Sequence, residues 1–416
     1  MRVTDRLVEA IAPARLGSRF RWLLAATTVN GIGDGVVVSA GPLLVASKTH
    51  DPLVVSLALL SEYLPTLLFG VVAGVAADRF DRRRMVVAVN LGRTIVLVLL
   101  AVAIITDVAS IAVVLAALFV MATAETFADS ATSTLLPGLI PREDLGLGNA
   151  RIQGSSLLTN QLLFPPVGAF LFAIGPAIPF ATNAIGFALG AALISRLAMD
   201  VRTIAGTRSG LQDDTLEGLR WLIAHPPMRT LALTIFTFNV TFGAAWSVLV
   251  LYASERLGMN AVGFGLLTTA VAIGGVIGTL SYGRLERRFT LANIMRGGLI
   301  IETCTHLVLA LTSSATVALG TFVIFGAHEF VWGTTSTVVR QRSVPDALLG
   351  RVSGAYRVAI VGGLVIGTPI GGLLAKQFGI TAPFWFAFAG SLLLVVLLWR
   401  QLEYIVHSSE LEPPDA

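Results

Sequence analysis

The chain has 416 residues, 55% hydrophobic and only 13% charged, with 29 Lys and Arg against 25 Asp and Glu for a net charge of +4. Charge near half of the ~25% usual in soluble domains, with a mean hydropathy of +0.81, excludes a soluble globular protein. Nucleic acid is not implied by the basic balance, because the arginines gather in alternate loops, and the lone Cys304 excludes an intramolecular disulfide or a cysteine metal cluster.

In chain order, Arg2, Arg6, Arg15, Arg19 and Arg21 precede a long apolar run without a small-residue cleavage site, which reads as a retained first helix, not a signal peptide. Twelve apolar stretches then approach the ~20 residues needed to cross a bilayer. Their approximate bounds are 22–46, 54–77, 85–106, 109–134, 152–173, 177–196, 230–253, 262–283, 291–311, 315–338, 352–374 and 380–400. The fourth and tenth are the least clean, since they carry Glu125, Asp129, His328 and Glu329. Basic residues accumulate in the N-terminal arm and in the loops holding Arg79–Arg84, Arg142 and Arg151, Arg196–Arg229, Arg284–Arg288 and Arg340–Arg351. The opposite loops hold only Lys48, Arg256 and Lys376. Short basic loops resist translocation, so this pattern predicts a multi-pass cell-membrane protein with both termini cytoplasmic.

The loop after the second stretch is the most distinctive. It reads Gly74-Val-Ala-Ala-Asp78-Arg79-Phe80-Asp81-Arg82-Arg83-Arg84, a burst of charge between two membrane-length runs. Gly74 and Asp78 share a helical face, and Gly74 leaves room for a neighbouring helix. Gly74, Asp78, Arg79, Arg82 and Arg83 fall in register on the Gly-x-x-x-Asp-Arg-x-Gly-Arg-Arg/Lys loop of the major facilitator superfamily, which this stretch resembles, with Asp81 in place of the second glycine. The resemblance implies an all-α integral membrane protein of twelve transmembrane helices in two pseudo-symmetric six-helix bundles. It also implies a conformational switch at Gly74, Asp78, Arg79, Arg82, Arg83 and Asp129, with Asp78, Arg82 and Asp129 clustered in the outward-open state and Gly74 permitting close contact with the eleventh helix.

An internal repeat agrees with two such bundles. Phe119-Val-Met-Ala-Thr-Ala-Glu125 recurs as Phe322-Val-Ile-Phe-Gly-Ala-His-Glu329 with one residue inserted. Pro141, Pro165, Gly168 and Pro179-Phe180 then match Pro345, Pro369, Gly372 and Pro383-Phe384. Upstream, Arg79-x-x-Arg82-Arg83 is echoed by Arg284-x-x-Arg287-Arg288, and Asn90-x-x-Arg93 by Asn293-x-x-Arg296. The expected organisation is an N-terminal bundle over 1–196, a cytoplasmic linker over 197–229, a C-terminal bundle over 230–402 and a polar tail over 403–416.

Within the linker, Asp214-x-x-Glu217 reads as a capping box. Leu216, Leu219, Leu222 and Ile223 with Trp221 read as a short helix on the inner membrane surface, ended by Pro226-Pro227. The run from Leu216 to Pro227 resembles the central loop of the enterobactin-exporter and macrolide-efflux branch of the superfamily.

Ionisable residues inside the spans are the candidate site, because charge in lipid is costly and normally faces a cavity or a partner. Asp34 lies twelve residues into the first span, ~18 Å along a helix rising 1.5 Å per residue, among Gly31, Gly33 and Gly35; Asn239 holds the corresponding place in the seventh. It reads either as a protonatable group at a central cavity or as a buried acid bonded to backbone. Arg93 with Glu125, and Arg296 with Glu329, fall at similar depths on consecutive spans and predict two charge pairs, each within reach in at least one conformation, for which structural pairing is the plainer role. Glu62, Glu302 and His306 are weaker candidates. Phe236, Phe238, Phe242 and Trp246 on the seventh span either line an apolar pocket or simply pack. The antiporter signature Gly-Pro-x-x-Gly-Gly is only partial at Phe164-Pro165-Pro166-Val-Gly168-Ala169, and no basic residue stands between Asp107 and Arg142, where many proton antiporters of the superfamily carry an arginine.

No enzyme constellation, metal site or nucleotide-binding domain is expected. The reading is a monomeric secondary transporter in the lipid bilayer. It needs no bound cofactor and exports a small apolar or amphipathic compound by proton antiport with alternating access. An uptake symporter or uniporter, or a substrate-sensing or lipid-handling protein of the same fold, is the alternative.

Overall fold

A computed structural model describes residues 13–197 and 211–402. The expected tail at 403–416, the first part of the linker and the side chains of Asp214 and Leu216 lie outside the described residues. The described chain is helical and contains no strand. Its membrane-type helices are α1 (Gly17–Lys48), α2 (Pro52–Arg79), α3 (Arg82–Ile105), α4 (Ile111–Leu135), α5 (Leu145–Ile174) and α6 (Ile178–Ser195). They continue with α7 (Pro226–Trp246, then Leu249–Arg256), α8 (Ala261–Arg288), α9 (Leu291–Leu311), α10 (Ala315–Ser343), α11 (Asp346–Phe378) and α12 (Ala382–Leu398). Ten are long and apolar enough to cross a bilayer as single helices; α7 makes an eleventh with a 42° bend, and α12 is an apolar helix of 17 residues. Leu99, Val102, Val396 and Leu397 stand outward and exposed. A surface of this kind is stable against lipid tails, and helices suit that solvent because they satisfy their own backbone groups.

Local sequence explains the helix ends. Asp81 accepts from the Arg84 N–H and starts α3; Ser110, Asn260, Thr290 and Ser314 do the same for α4, α8, α9 and α10. In α5, Pro165 and Pro166 cannot donate to the preceding turn, and the helix widens to a π turn over Leu157–Leu163 just before them.

Two compact units emerge: the described residues of Met1–Lys48 with Leu68–Thr207, and Thr49–Leu67 with those of Arg208–Ala416. The first part of α2 thus groups with the second unit. Within the first unit α1 packs on α5 and α6, and α3 on α4 and α6. The second unit repeats this set, α7 on α11 and α12, α9 on α10 and α12. The two units thus repeat one packing pattern.

The linker helix runs Leu211–Ala224 and already contains Asp214, so the capping box does not mark its start. Leu222 is buried in the core of the second unit, and Gly218 sits so close to the Arg351 carbonyl that no side chain would fit. Glu217 accepts from Arg351 Nη1 at 2.7 Å. Leu219 and Ile223 remain exposed one turn apart, so the expected single apolar face is split between a packed side and an open one.

Candidate functional site

The glycines around Asp34 set its position. A side chain at Gly33 would collide with Asn183 of α6, and one at Gly35 with the Thr159 carbonyl of α5. Helix α1 therefore lies hard against both neighbours, and Asp34 is carried inward toward α3.

There it meets Arg93. Arg93 Nη2 donates to Asp34 Oδ1 at 2.7 Å and lies 3.7 Å from Glu125 Oε2 of α4. The guanidinium rests on the Phe187 ring of α6, with Cζ 3.8 Å from the ring centroid, a cation–π contact. The Arg93 side chain is 4% exposed, Asp34 18% and Glu125 43%. One buried cation is thus shared by two carboxylates that stay partly accessible. The Arg93–Glu125 approach matches the expected pair. The tighter Asp34–Arg93 bond was not foreseen, because α1 and α3 are not consecutive, and Phe187 left no polar signal to find.

The second half does not repeat this pair. Arg296 Nε and Nη2 donate to the Trp399 carbonyl at 2.8 and 2.6 Å, beyond the end of α12, and Glu329 is not its partner. The expected equality of depth fails because the helices start at different points of the repeat. Arg93 lies roughly 17 Å into α3 but Arg296 only roughly 8 Å into α9. Asn239, the counterpart of Asp34, is buried and donates its amide to the Ile235 carbonyl one turn back, so it faces its own helix.

The charge at depth on α9 is Glu302. His306 Nε2 lies 2.7 Å from Glu302 Oε1, and His328 Nε2 of α10 lies 3.4 Å from Oε2; exposure of the three side chains is 0–1%. The Glu-x-x-x-His spacing on one helix face was the available signal, but His328 arrives from the next helix. Three of the aromatic candidates, Phe238, Phe242 and Trp246, pack in one row along α7. Phe242 stacks on Trp246 at 4.2 Å, and Trp246 and Phe242 contact Phe325 of α10 at 4.9 and 5.8 Å.

At the Gly74 loop, where a cluster of Asp78, Arg82 and Asp129 is expected in the outward-open state, the arginines bond backbone carbonyls. Arg82 donates to the Ala77 and Thr134 carbonyls at 3.3 and 3.2 Å, and Arg83 to the Ser195 carbonyl. These are the C-terminal ends of α2, α4 and α6, where unpaired carbonyls attract cations. Arg296 on α12 plays the same part as Arg83 on α6. Asp78, Arg79 and Asp129 are exposed, and a side chain at Gly74 would meet nothing within 4 Å in its own unit.

Residues 8–414 match the profile of the family described as transmembrane secretion effector. Among characterised proteins the chain is 28% identical over 383 residues to the multidrug efflux pump Tap of Mycolicibacterium fortuitum, covering 87% of this chain and 90% of that one. It is 26% identical over 411 residues to the enterobactin exporter EntS of Escherichia coli, covering 91% and 92%. Among solved structures, the nucleoside transporter NupG superposes with a TM-score of 0.76 at 10% identity, covering 93% of this chain and 100% of that one. A bacterial homologue of the iron transporter ferroportin gives 0.74 at 18% identity, covering 92% and 98%. These two likenesses are of fold.

Proposed function

The chain belongs to the transmembrane secretion effector family of the major facilitator superfamily and is a multi-pass membrane transporter, and from that premise we propose that it exports a small amphipathic compound in exchange for protons. The observation that carries this reading is the sharing of Arg93 Nη2 between Asp34 and Glu125. With both acids ionised, the cluster holds two negative charges against one positive. A buried net charge is costly, so the site favours one further cation, either a proton or a positively charged group of the substrate. Competition for that place is the physical basis of exchange. Both acids are partly exposed, so either cation can reach them.

Similarity to Tap and EntS supports export over uptake. In this reading the protein acts as a monomer in the cell membrane with both termini cytoplasmic, and the loop from Gly74 to Arg83 with Asp129 serves the switch between alternating states. Glu329 and Asn239 supply polar groups in the second half, and Arg296 holds α12.

The test uses proteoliposomes of the purified full chain, an imposed pH gradient and ethidium as the transported probe. Asp34→Asn should abolish gradient-driven movement while retaining folding and some downhill exchange, and Asp34→Glu should keep part of the activity. Gradient-driven efflux of wild-type rate by Asp34→Asn would remove Asp34 from the mechanism.

A further inference from the structure

Glu302, His306 and His328 are used by nothing proposed above, yet they are the most deeply buried titratable cluster in the described second unit. Burial of ionisable groups at 0–1% exposure inside membrane helices calls for charge compensation. With both imidazoles neutral, the Glu302 carboxylate is an uncompensated buried anion; with both protonated, the cluster carries an uncompensated cation. With Glu302 ionised, only one proton on the pair of rings leaves the centre neutral.

The surroundings offer no other counter-charge. Among neighbouring groups on α9, Arg296 is engaged with the Trp399 carbonyl. On α10, Glu329 is the adjacent acid and supplies no positive charge. Helix α7 presents the edge of Phe238 to the His328 ring at 6.5 Å, and α10 that of Phe325 at 6.1 Å. No Asp, Glu, Lys or Arg occurs in α7 between Thr230 and Ala253, in α8 between Ala261 and Gly283, or in α12 between Ala382 and Leu398.

The two rings are not equivalent. His306 bonds Glu302 from the same helix, one turn away. His328 comes from α10 and approaches the second carboxylate oxygen without hydrogen-bond alignment; its Nε2 and Glu302 Oε2 have no hydrogen-bond partner. Gly298 of α9 makes the room, since a side chain there would strike His328 Nδ1 at 2.9 Å. The buried Trp332 indole N–H, one turn along α10, is also without a hydrogen-bond partner.

We propose that Glu302, His306 and His328 form a second proton-binding centre, separate from Asp34, that holds a single proton shared between two rings. A proton taken from hydronium by His328 Nε2 makes that nitrogen a donor to Glu302 Oε2 and ties α9 to α10. The same proton on His306 Nε2 closes the bond within α9 and leaves His328 as a neutral neighbour. The position of one proton therefore sets the tie between two helices.

The test is histidine-labelled NMR of the detergent-solubilised full chain at neutral pH, which requires no transport and so stands apart from the export reading. The expected result is one imidazolium among the two buried rings, lost in Glu302→Gln. The variants His306→Asn and His328→Asn assign the signals, and each should leave the remaining ring charged, which keeps the test decisive should Glu302→Gln fail to fold. Two neutral rings in the unsubstituted chain, an imidazolium that survives in Glu302→Gln, or a neutral remaining ring in both histidine variants would overturn the proposal. So would stoichiometric zinc shifting both ring signals together, which would make the cluster a metal site.

Discussion

Residue twelve of α3 is Arg93, and residue twelve of α9 is Glu302. The two halves thus bury an ionisable group of opposite sign at the same position along the helix. In the first half a cation lies between acids from α1 and α4; in the second an acid lies between bases from α9 and α10. They also differ in access. Asp34 and Glu125 are 18% and 43% exposed, whereas all three groups of the second cluster are closed off. Pseudo-symmetry has preserved where charge can be tolerated and not which charge it is. What the bundle repeats is a helix crossing with space for a buried ion and partners from adjacent helices. Each half then fills that space to suit its own surroundings.

The largest expected effect comes from breaking the first cluster at its centre. Arg93→Ala leaves Asp34 and Glu125 without their cation and should cost about 3–5 kcal/mol, read as loss of thermal stability in detergent, and should abolish gradient-driven ethidium movement. Stability close to that of the unsubstituted chain would mean the acids are held neutral and the shared guanidinium is not what joins α1 to α3.

Packing offers the next contrast. Gly33→Ala forces a methyl group into Asn183 and should destabilise by about 1–3 kcal/mol, displacing Asp34 from Arg93 and slowing transport. Gly74→Ala meets no neighbour within its own unit and should leave stability unchanged in the same thermal assay. Equal effects of the two would refute the distinction between them.

Arg296→Ala tests whether the second-half arginine is a helix-end ligand. It should cost about 1 kcal/mol, the scale of hydrogen bonds to a carbonyl, with ethidium transport retained. A loss as large as that of Arg93→Ala would restore Arg296 to a role in the membrane interior.

The smallest effect is expected outside the spans. Lys376 Nζ donates to Asp51 Oδ2 at 2.6 Å, and this bond, with the Leu53 N–H on Oδ1, holds the Asp51 carboxyl below its ordinary range. A depressed value means the pair contributes fully above the ordinary carboxylate range and fades as pH falls through the folded value. Because the pair is exposed, Asp51→Asn should cost about 0.5 kcal/mol or less. That difference should vanish in strong acid or high salt, measured by paired thermal melts.

The sequence by itself determined that this is a membrane protein, that its apolar runs number twelve, that the two halves repeat, and that Asp34, Arg93 and Glu125 lie at depth. Each of these follows from a one-dimensional property: hydropathy along the chain, spacing, or the rise of a helix per residue. Partner choice was decided only by the tertiary structure. It depends on which helices are neighbours and how each is rotated about its axis, and neither is recorded in depth. Arg93 reaches Asp34 because glycines let α1 press against α5 and α6, bringing it alongside a helix two places on in the chain. Arg296 binds a carbonyl because α9 begins later in the repeat than α3 does. Glu302, His306 and His328 meet because α9 and α10 cross with Gly298 between them, and no pattern within either helix states where the other one lies.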